Sequence, residues 1–220
     1  MINKKYHENI RSEMLQFIPK EHGSRVLDLG CGDGNFQKLL RSEVKYTGVD
    51  LINQQNFMHN SKNTYIQGDV IKVMSSLIAE NNKYDLIVCN DIIEHLPDTS
   101  EFFMLTSQLL RRNGLVVGSV PNVRYVGNLF ELIFKRDWRY KKGGGVLDST
   151  HLRFFTEKSL LRIMSKSEFK VIFLKGINGF SDHKSIKRAL VYTALRIMDI
   201  IFFGKTKDIK FLQLGFCVKR

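Results

Sequence analysis

Short apolar runs and amphipathic stretches follow one another along most of this 220-residue chain. Runs of roughly four to eight apolar residues, bounded by turn residues, are typical of strands in a sheet that is covered on both faces. Such runs predict strands at 25–29, 45–50, 64–67, 84–89, 114–120, 169–175 and 211–218. Strands that alternate with helical patterns at this spacing predict an α/β fold, doubly wound around a mostly parallel sheet.

The stretches between the strands carry apolar residues three and four positions apart, which predicts helices. They lie at 6–18, 34–42, 53–60, 70–80, 98–112, 157–167 and 185–203. Asp98 and Glu101 resemble a capping box at the start of 98–112, and Asn113 with Gly114 is typical of a left-handed helix end. Residues 121–155 interrupt the alternation.

The turn after the first predicted strand carries the most chemical information. Residues 26–34 read Val-Leu-Asp-Leu-Gly-Cys-Gly-Asp-Gly, and glycines in such a turn let the backbone approach a ligand at the carboxyl ends of the strands. The spacing differs from the Gly-x-Gly-x-x-Gly dinucleotide fingerprint, and Asp28 would repel a pyrophosphate. A carboxylate there favours a ligand with a positive end, and the sulfonium and amino groups of S-adenosylmethionine fit.

Acidic or amide side chains also end the next three predicted strands. Asp50 lies about 20 positions beyond the glycine turn, where a carboxylate can accept both ribose hydroxyls. Asp69 is placed to accept the adenine amino group, with Val70 against the ring, and Asn90 lies near the methionine portion. A single strand-end Asp is often only a solvated turn residue, but four in register predict one cofactor site, formed by Asp28, Gly30, Cys31, Gly32, Asp50, Leu51, Asp69, Val70 and Asn90.

Taken together, these motifs resemble the class I S-adenosylmethionine-dependent methyltransferases across roughly residues 20–175. The matching segments are 26–34, 48–50, 68–70, 84–96 and 114–122. The resemblance implies a seven-stranded sheet with an antiparallel last strand, a single methyltransferase domain over 1–220, and S-adenosylmethionine as methyl donor. Within the superfamily, 119–122 and 147–156 resemble the branch found with bacterial surface-polysaccharide biosynthesis.

Two histidines, His95 and His151, lie where members of this superfamily approach the methyl group. Methyl transfer depends mainly on positioning, but a hydroxyl acceptor must also lose its proton to a base. We expect His151, His95 and Asp91 to form the catalytic group, and the alternative for either histidine is a structural role in its loop. The quinone-biosynthesis O-methyltransferases resemble the Asp91, Glu94, His95 pattern and hold a divalent ion there. Because related enzymes carry the pattern without a metal, we predict a metal-free site.

Residues 121–155 are predicted to form an acceptor-binding lid, because insertions after the fifth strand lie over the methyl donor in this superfamily. The segment contains seven Lys and Arg residues against three acidic ones, with aromatic residues interleaved. Aromatic faces stack on sugar rings and guanidinium groups bind phosphate. The candidate acceptor ligands are therefore Asn122, Arg124, Trp138, Tyr140 and Arg153, and the alternative is a solvated basic loop packed by its aromatic residues.

Charge and cysteine content narrow the class of protein. The formal net charge is +12, which favours an anionic partner such as a phosphorylated acceptor, nucleic acid or a membrane surface. The three cysteines are far apart and lack Cys-x-x-Cys spacing, which indicates buried thiols in a reducing compartment. With no visible signal peptide, we expect a cytoplasmic enzyme that O-methylates a sugar hydroxyl of a glycan or a nucleotide-linked sugar.

Two other functions remain open at this point. An RNA methyltransferase would explain the basic charge, but no RNA-binding module is evident and residues 90–93 lack the Asn-Pro-Pro-Tyr signature of base-amine methylation. A non-catalytic protein could keep the fold to bind a partner or a membrane. Intact acidic residues at the predicted cofactor site argue against that second alternative.

The segment 183–204, between the last two predicted strands, is unusually apolar. From Ala189 to Phe203 only Arg196 and Asp199 are charged, and their spacing would let them pair. The run is shorter than the roughly 20 residues that span a bilayer. We expect a helix buried against its own domain or a second subunit, as in a homodimer. The alternative is peripheral contact with anionic lipid at the inner face of the membrane, because basic residues flank the run.

Overall fold

The structure, a computed structural model, describes residues 10–53, 62–179 and 186–220, with side chains from residue 189 onward in the last range. The strands in these ranges form one sheet of order β3-β2-β1-β4-β5-β7-β6. β7 runs antiparallel to both of its neighbours, and the pairs among β1 to β5 are parallel. The predicted fold class is confirmed, with strands β1 (Arg25–Leu29), β2 (Lys45–Asp50), β3 (Asn63–Gln67), β4 (Tyr84–Asn90), β5 (Leu110–Pro121), β6 (Lys170–Gly179) and β7 (Phe211–Lys219).

Five α-helices and three 3₁₀ helices lie in the described parts of the chain. The α-helices are α1 (Val70–Ala79), α2 (Thr99–Leu109), α3 (Val126–Phe134), α4 (Glu157–Lys166) and α5 (Ile186–Ile201). The predicted helices 6–18 and 34–42 are 3₁₀ helices over Ser12–Phe17 and Asn35–Leu39, and residues 6–9 lie outside the described part. The predicted helix 53–60 lies outside it as well, apart from Asn53, which is not helical.

The sheet is covered on both faces because successive side chains of each strand point in opposite directions. On one face, Leu27, Ile87 and Val116 pack in a core with residues of α1, α2 and α4. On the other face, Val26 and Val88 join Met14, Phe17 and Phe36 of the 3₁₀ helices. The three cysteines are buried and free, as predicted. Burial of each large apolar side chain contributes about 1.5–3 kcal/mol to the free energy of folding. Packing on both faces therefore holds the strands, and the edge at which they end, in place.

The boundary between α2 and β5 differs from the sequence prediction. Asp98 does cap α2 through its side chain, which accepts from the amides of Ser100 and Glu101. However, the helix ends at Leu109, three residues early, because Leu110 already pairs with Tyr84 of β4. Asn113 has the expected left-handed φ of 67°, but it lies in an irregularity of β5 rather than at a helix end.

The apolar helix α5 is exposed, which corrects the expectation that it packs in the core of its own domain. Of the side chains described from Ala189 to Ile201, Leu195 alone is buried. Arg196 and Asp199 do not form the pair that their spacing predicts. Asp199 instead accepts hydrogen bonds from the amide and hydroxyl of Thr206. Among the described helices, α5 included, none has the length and apolarity to cross a membrane.

Candidate active site

The glycine turn, residues 30–34, follows the carboxyl end of β1 and contacts the end of β2. Gly30, Gly32 and Gly34 all have positive φ, at 73°, 53° and 69°, a region that disfavours residues with a Cβ. The amides of Gly30 and Cys31 both donate to the carbonyl of Val49, at 2.8 and 3.1 Å. The turn is therefore held tightly against β2 and keeps its backbone at the carboxyl edge of the sheet.

Asp50 ends β2 beside this turn. Its Oδ2 accepts the amide of Gly32 at 2.8 Å and its Oδ1 accepts the amide of Ile52 at 3.3 Å. The next residue, Leu51, is 67% exposed. An exposed apolar side chain at this position can pack against a ring of a bound ligand. The structure thus brings the predicted ribose ligand and its apolar neighbour to the glycine turn.

Asp28 lies inside the sheet beneath the turn. Its carboxyl is buried and accepts a hydrogen bond from the hydroxyl of Tyr46. Burial raises the pKa of Asp28 to about 7, the Tyr46 hydrogen bond opposes this, and the nearby Asp50 raises it further. A bound cation would favour the carboxylate form, so this position matches a ligand with a positive end.

The ends of β3 and β4 complete the predicted cofactor edge. Asp69 caps α1 by accepting the amide of Lys72 at 3.1 Å, and Val70 is buried in the first turn of the helix. The side-chain oxygen of Asn90 is buried and finds no hydrogen-bond partner among the described residues. A buried acceptor without a partner is costly, which makes Asn90 available to a ligand donor such as an amino group.

Asp91 is placed differently from the catalytic role predicted for it. Its carboxylate pairs with Arg11, accepts the hydroxyl of Ser119 at 2.8 Å, and accepts Gln213 Nε2 at 2.8 Å on each oxygen. Asp91 has a left-handed φ of 52°, and the helical turn after it, Ile93–His95, is a single 3₁₀ turn. The sequence spacing therefore does not bring Asp91 to the face of Glu94 and His95, and its oxygens serve a buried network instead.

Glu94, His95 and His151 form a compact cluster. One ligand atom from each lies within 4.8 Å of the others, and His151 Nε2 is 4.0 Å from Glu94 Oε1. Glu94 is fully buried, and neither of its carboxylate oxygens has a hydrogen-bond partner among the described residues. The two imidazole rings meet edge to face, with centroids 4.8 Å apart. Glu94 is not in the predicted catalytic group, although its position directly before His95 is a signal for it in the sequence.

Backbone carbonyls fix the orientation of both rings. His95 Nδ1 lies 3.2 Å from the carbonyl of Thr150, and His151 Nδ1 lies 2.9 Å from that of Val146. A ring nitrogen that bonds to a carbonyl carries the proton, so Nε2 of each neutral ring is left as an acceptor. Burial and the neighbouring His151 lower the pKa of His95, while burial and the charge of Asp91 raise the pKa of Glu94. The cluster can accept a proton or bind a cation.

The lid turn that carries His151 is organised by Asp148. This carboxylate accepts the amide of Gly144, and both the amide and hydroxyl of Thr150, at 2.5 to 2.9 Å. Burial opposes its charge, but the hydrogen bonds from Thr150 and Gly144 hold the pKa of Asp148 below its usual value. Further along, the amides of Leu152 and Arg153 donate to the carbonyl of Glu94 at 2.8 and 3.0 Å. Asp148 is thus a positioning residue that sequence reasoning missed.

The predicted acceptor ligands divide into two groups. The Asn122 side chain is buried and donates to the carbonyls of Asp208 and Phe211, while Arg124 pairs with Asp208. The Arg153 guanidinium donates to the carbonyl of Pro97. These three hold the lid to the domain. Trp138 and Tyr140, in contrast, flank the ring of Phe154, with centroid distances of 5.4 and 6.2 Å, and Tyr140 is exposed.

Comparison with known proteins decides the family. The family described as a methyltransferase domain matches residues 2–174. The chain belongs to this family. It is therefore a methyltransferase, and its methyl donor is S-adenosylmethionine. The match ends before α5 and β7, so it says nothing about the apolar helix.

Relatives and solved structures agree with this methyltransferase assignment. The chain is 26% identical over 170 residues to a protein of Vibrio cholerae named ubiquinone biosynthesis O-methyltransferase, covering 73% of this chain and 67% of that one. An S-adenosylmethionine-dependent methyltransferase of Archaeoglobus fulgidus superposes with a TM-score of 0.65 at 19% identity, over 97% and 94% of the two chains. The Burkholderia thailandensis 1,6-didemethyltoxoflavin N1-methyltransferase, solved with S-adenosylhomocysteine, gives 0.58 at 14% identity, over 99% and 81%. At these identities, the two structures establish the fold.

Proposed function

We propose that this methyltransferase transfers the methyl group to a hydroxyl oxygen of its acceptor. The observation that carries the proposal is the buried carboxylate of Glu94, without a hydrogen-bond partner among the described residues, next to His151 Nε2. A hydroxyl acceptor must lose a proton during transfer, whereas a neutral amine needs only alignment. A cluster of proton acceptors beside the cofactor edge supports the first kind of acceptor. The name of the Vibrio cholerae relative is consistent with it.

The reaction in this proposal is one in-line displacement. The acceptor oxygen attacks the methyl carbon, the bond between that carbon and the sulfonium sulfur breaks, and its electrons stay on sulfur as S-adenosylhomocysteine. His151 takes the hydroxyl proton at Nε2, and the carbonyl of Val146 holds the ring by its Nδ1. The adjacent Glu94, in its carboxylate form, stabilises the imidazolium that forms. Asp50 and Asp28 contribute by fixing the ribose and the positive end of the donor, since alignment supplies most of the rate.

The same three side chains also have the composition of a divalent-cation site. Divalent ions in proteins commonly bind to carboxylate oxygens and imidazole nitrogens, and the Glu94 carboxylate oxygens have no hydrogen-bond partner among the described residues. The Nδ1 atom of each imidazole faces a backbone carbonyl, which is the contact that usually orients a metal-binding histidine. Glu94, His95 and His151 would hold the ion, which would supply Lewis acidity toward the hydroxyl. This group includes His151 in place of Asp91, which belongs to the sequence pattern that the quinone-biosynthesis enzymes resemble. Our metal-free prediction is tested by chelation: activity that survives supports it, and loss restored by magnesium or zinc overturns it.

For the acceptor, we propose a sugar hydroxyl of an anionic glycan or nucleotide-linked sugar. The support lies in the lid, where Trp138 and Tyr140 offer aromatic faces and the basic side chains of Arg136, Arg139 and Lys142 are exposed. Sugar rings stack on aromatic faces, and guanidinium groups bind phosphate. A hydroxyl of a ubiquinone precursor is the second candidate, because the name of the Vibrio cholerae relative points there.

A labelled-methyl assay with two acceptor panels separates these candidates. The wild-type protein receives methyl-labelled S-adenosylmethionine and either nucleotide-linked sugars or catechol-type phenols, with bulk RNA as a third arm. Label in the sugar panel, with KM raised at least tenfold by Trp138→Leu and unchanged by the exposed control Phe130→Leu, supports the sugar acceptor. Label in the phenol panel alone overturns the sugar proposal but keeps hydroxyl methylation. Label in RNA alone overturns both.

A further inference from the structure

Two helices of this protein expose apolar side chains that no described part of the chain covers. α3 has no buried residue, and Phe134 at its end is 72% exposed. At the end of α5, Phe203 is 90% exposed. We call these side chains the apolar patch, which comprises Phe130, Ile133, Phe134, Ile197, Ile200, Ile201, Phe202 and Phe203. Where large exposed apolar side chains lie together, they mark an interaction site.

The two halves of the patch belong to one unit, because the start of α3 is bound to the segment that follows α5. The amide of Val126 donates to the carbonyl of Ile209 at 2.8 Å. Arg124 pairs with Asp208 and donates to the carbonyl of Lys205 at 2.7 Å. The first turn of α3 and the segment after α5 therefore lie side by side.

The charge around the patch indicates what kind of partner fits. Cationic side chains follow both helices and outnumber the acidic ones near them. Glu131 pairs with Lys135 and Lys141, Glu157 pairs with Lys207, Asp199 accepts from Thr206, and Asp137 is exposed. A second copy of the chain would bring the same cations together, which disfavours a homodimer through this face. The exposed cations are Lys135, Arg136, Arg139, Lys141, Lys142, Lys205 and Lys207.

We propose that the apolar patch and its basic rim bind the surface of an anionic phospholipid bilayer. The exposed Ile and Phe side chains enter the boundary between headgroups and acyl chains, and the cations contact the phosphates. Each cation near such a surface adds about 1 kcal/mol, and apolar burial adds to it, which is the combination that reversible membrane binding requires.

Vesicle flotation of the full chain, without cofactor or acceptor, tests this proposal independently of the proposed function. With phosphatidylcholine vesicles containing phosphatidylglycerol, at low salt, we expect at least tenfold more protein in the floating fraction than with phosphatidylcholine alone. The double variant Ile200→Ser/Phe203→Ser should lose at least tenfold of that binding. The matched control Met104→Ser, which removes an exposed apolar side chain from α2, should leave it unchanged. Absence of flotation, or equal loss in the control, overturns the proposal.

A charge test and a size measurement complete the experiment. Lys205→Gln/Lys142→Gln should weaken binding to the anionic vesicles, whereas Lys20→Gln/Lys45→Gln, at exposed positions near the amino ends of β1 and β2, should not. Far-UV circular dichroism checks that each variant folds. Light scattering without vesicles should give the mass of one chain. A dimer that Ile200→Ser/Phe203→Ser breaks would assign the patch to a second copy and overturn the membrane proposal.

Discussion

His151 Nε2 lies 4.0 Å from Glu94 Oε1, although the lid supplies one residue and the loop after β4 supplies the other. The lid is held at this distance by its own backbone, since the amides of Leu152 and Arg153 both donate to the carbonyl of Glu94. The contact therefore couples lid placement to the chemistry of the cluster. A change at either residue should act on turnover rather than on cofactor affinity.

Glu94→Gln should lower turnover by about 10²–10⁴-fold, the range for loss of general acid–base assistance. The amide keeps the volume of the side chain but cannot stabilise an imidazolium at His151. Cofactor affinity should stay within about a factor of two, because the predicted ribose and methionine ligands lie outside this cluster. Steady-state kinetics and calorimetric titration of S-adenosylmethionine measure the two effects. Glu101→Gln, in the first turn of α2 and exposed, is the control and should match the wild type.

His151→Ala should reduce turnover by about 10²–10⁴-fold with cofactor affinity nearly unchanged, if His151 is the base. His95→Ala should have the smaller effect, because its ring orders the loop through the Thr150 carbonyl. Parallel kinetics on the two variants compare them directly. The reverse order of effects would transfer the role of base to His95.

Asp50→Ala should weaken S-adenosylmethionine binding by about 1.5–3 kcal/mol, the range for hydrogen bonds to a charged group. Its carboxylate also accepts the Gly32 amide, so the glycine turn should loosen as well. Isothermal titration measures the affinity, with the exposed lid variant Asp137→Ala as control. Unchanged affinity in folded Asp50→Ala protein would remove Asp50 from the ribose role.

Asp28 should make the folded protein less stable as the pH rises, which is the reverse of the usual effect of a carboxyl group. Its folded pKa is raised from 3.8 to about 7, so between those values the folded protein retains a proton that the unfolded chain has lost. The stability from this group is full below about pH 4 and falls as pH rises through 7, by up to about 4 kcal/mol. Denaturant titrations of the apoprotein at pH 5 and pH 7.5, compared with Asp28→Asn, isolate the effect. An equal pH slope in both proteins would contradict the assignment.

The affinity for S-adenosylmethionine should change with pH in the opposite direction to the stability. If the positive end of S-adenosylmethionine favours the Asp28 carboxylate, affinity should increase as pH rises toward 7 and then level off. Titrations in buffers of different ionisation enthalpy should show a proton released on binding near pH 6. Asp28→Asn should bind more weakly and release none.

Local signals made most of the fold and the cofactor edge predictable. The motif at 26–34 and the strand ends at Asp50, Asp69 and Asn90 lie in short segments, each of which carries its own turn residues and burial pattern. Their meeting at one edge follows from parallel strand order alone. The pattern at 34–42 predicts a helix without specifying its type, because apolar spacing does not distinguish a short 3₁₀ helix such as Asn35–Leu39 from the start of an α-helix.

The cluster of Glu94, His95 and His151 is less predictable because it depends on contacts between distant segments. The spacing of Asp91, Glu94 and His95 suggested one helical face, but Arg11, Ser119 and Gln213 bind the Asp91 carboxylate instead. No local sequence pattern around Asp91 indicates these three partners, because they come from other parts of the chain. Similarly, nothing around Asn122 shows that its side chain bonds to carbonyls beyond α5. The exposure of α5 is also a tertiary property, since an apolar run looks alike in a core and on an interface.

Transfer of a ¹³C-labelled methyl group, followed by nuclear magnetic resonance of the product, tests hydroxyl methylation most directly. The wild-type protein is incubated with labelled S-adenosylmethionine and the acceptor panels, and Glu94→Gln protein serves as a cofactor-binding control. We predict an O-methyl signal on the acceptor with the wild-type protein, at least 10²-fold weaker with Glu94→Gln although that variant still binds the cofactor. Label on nitrogen or carbon, or an undiminished O-methyl signal from Glu94→Gln, would contradict the account.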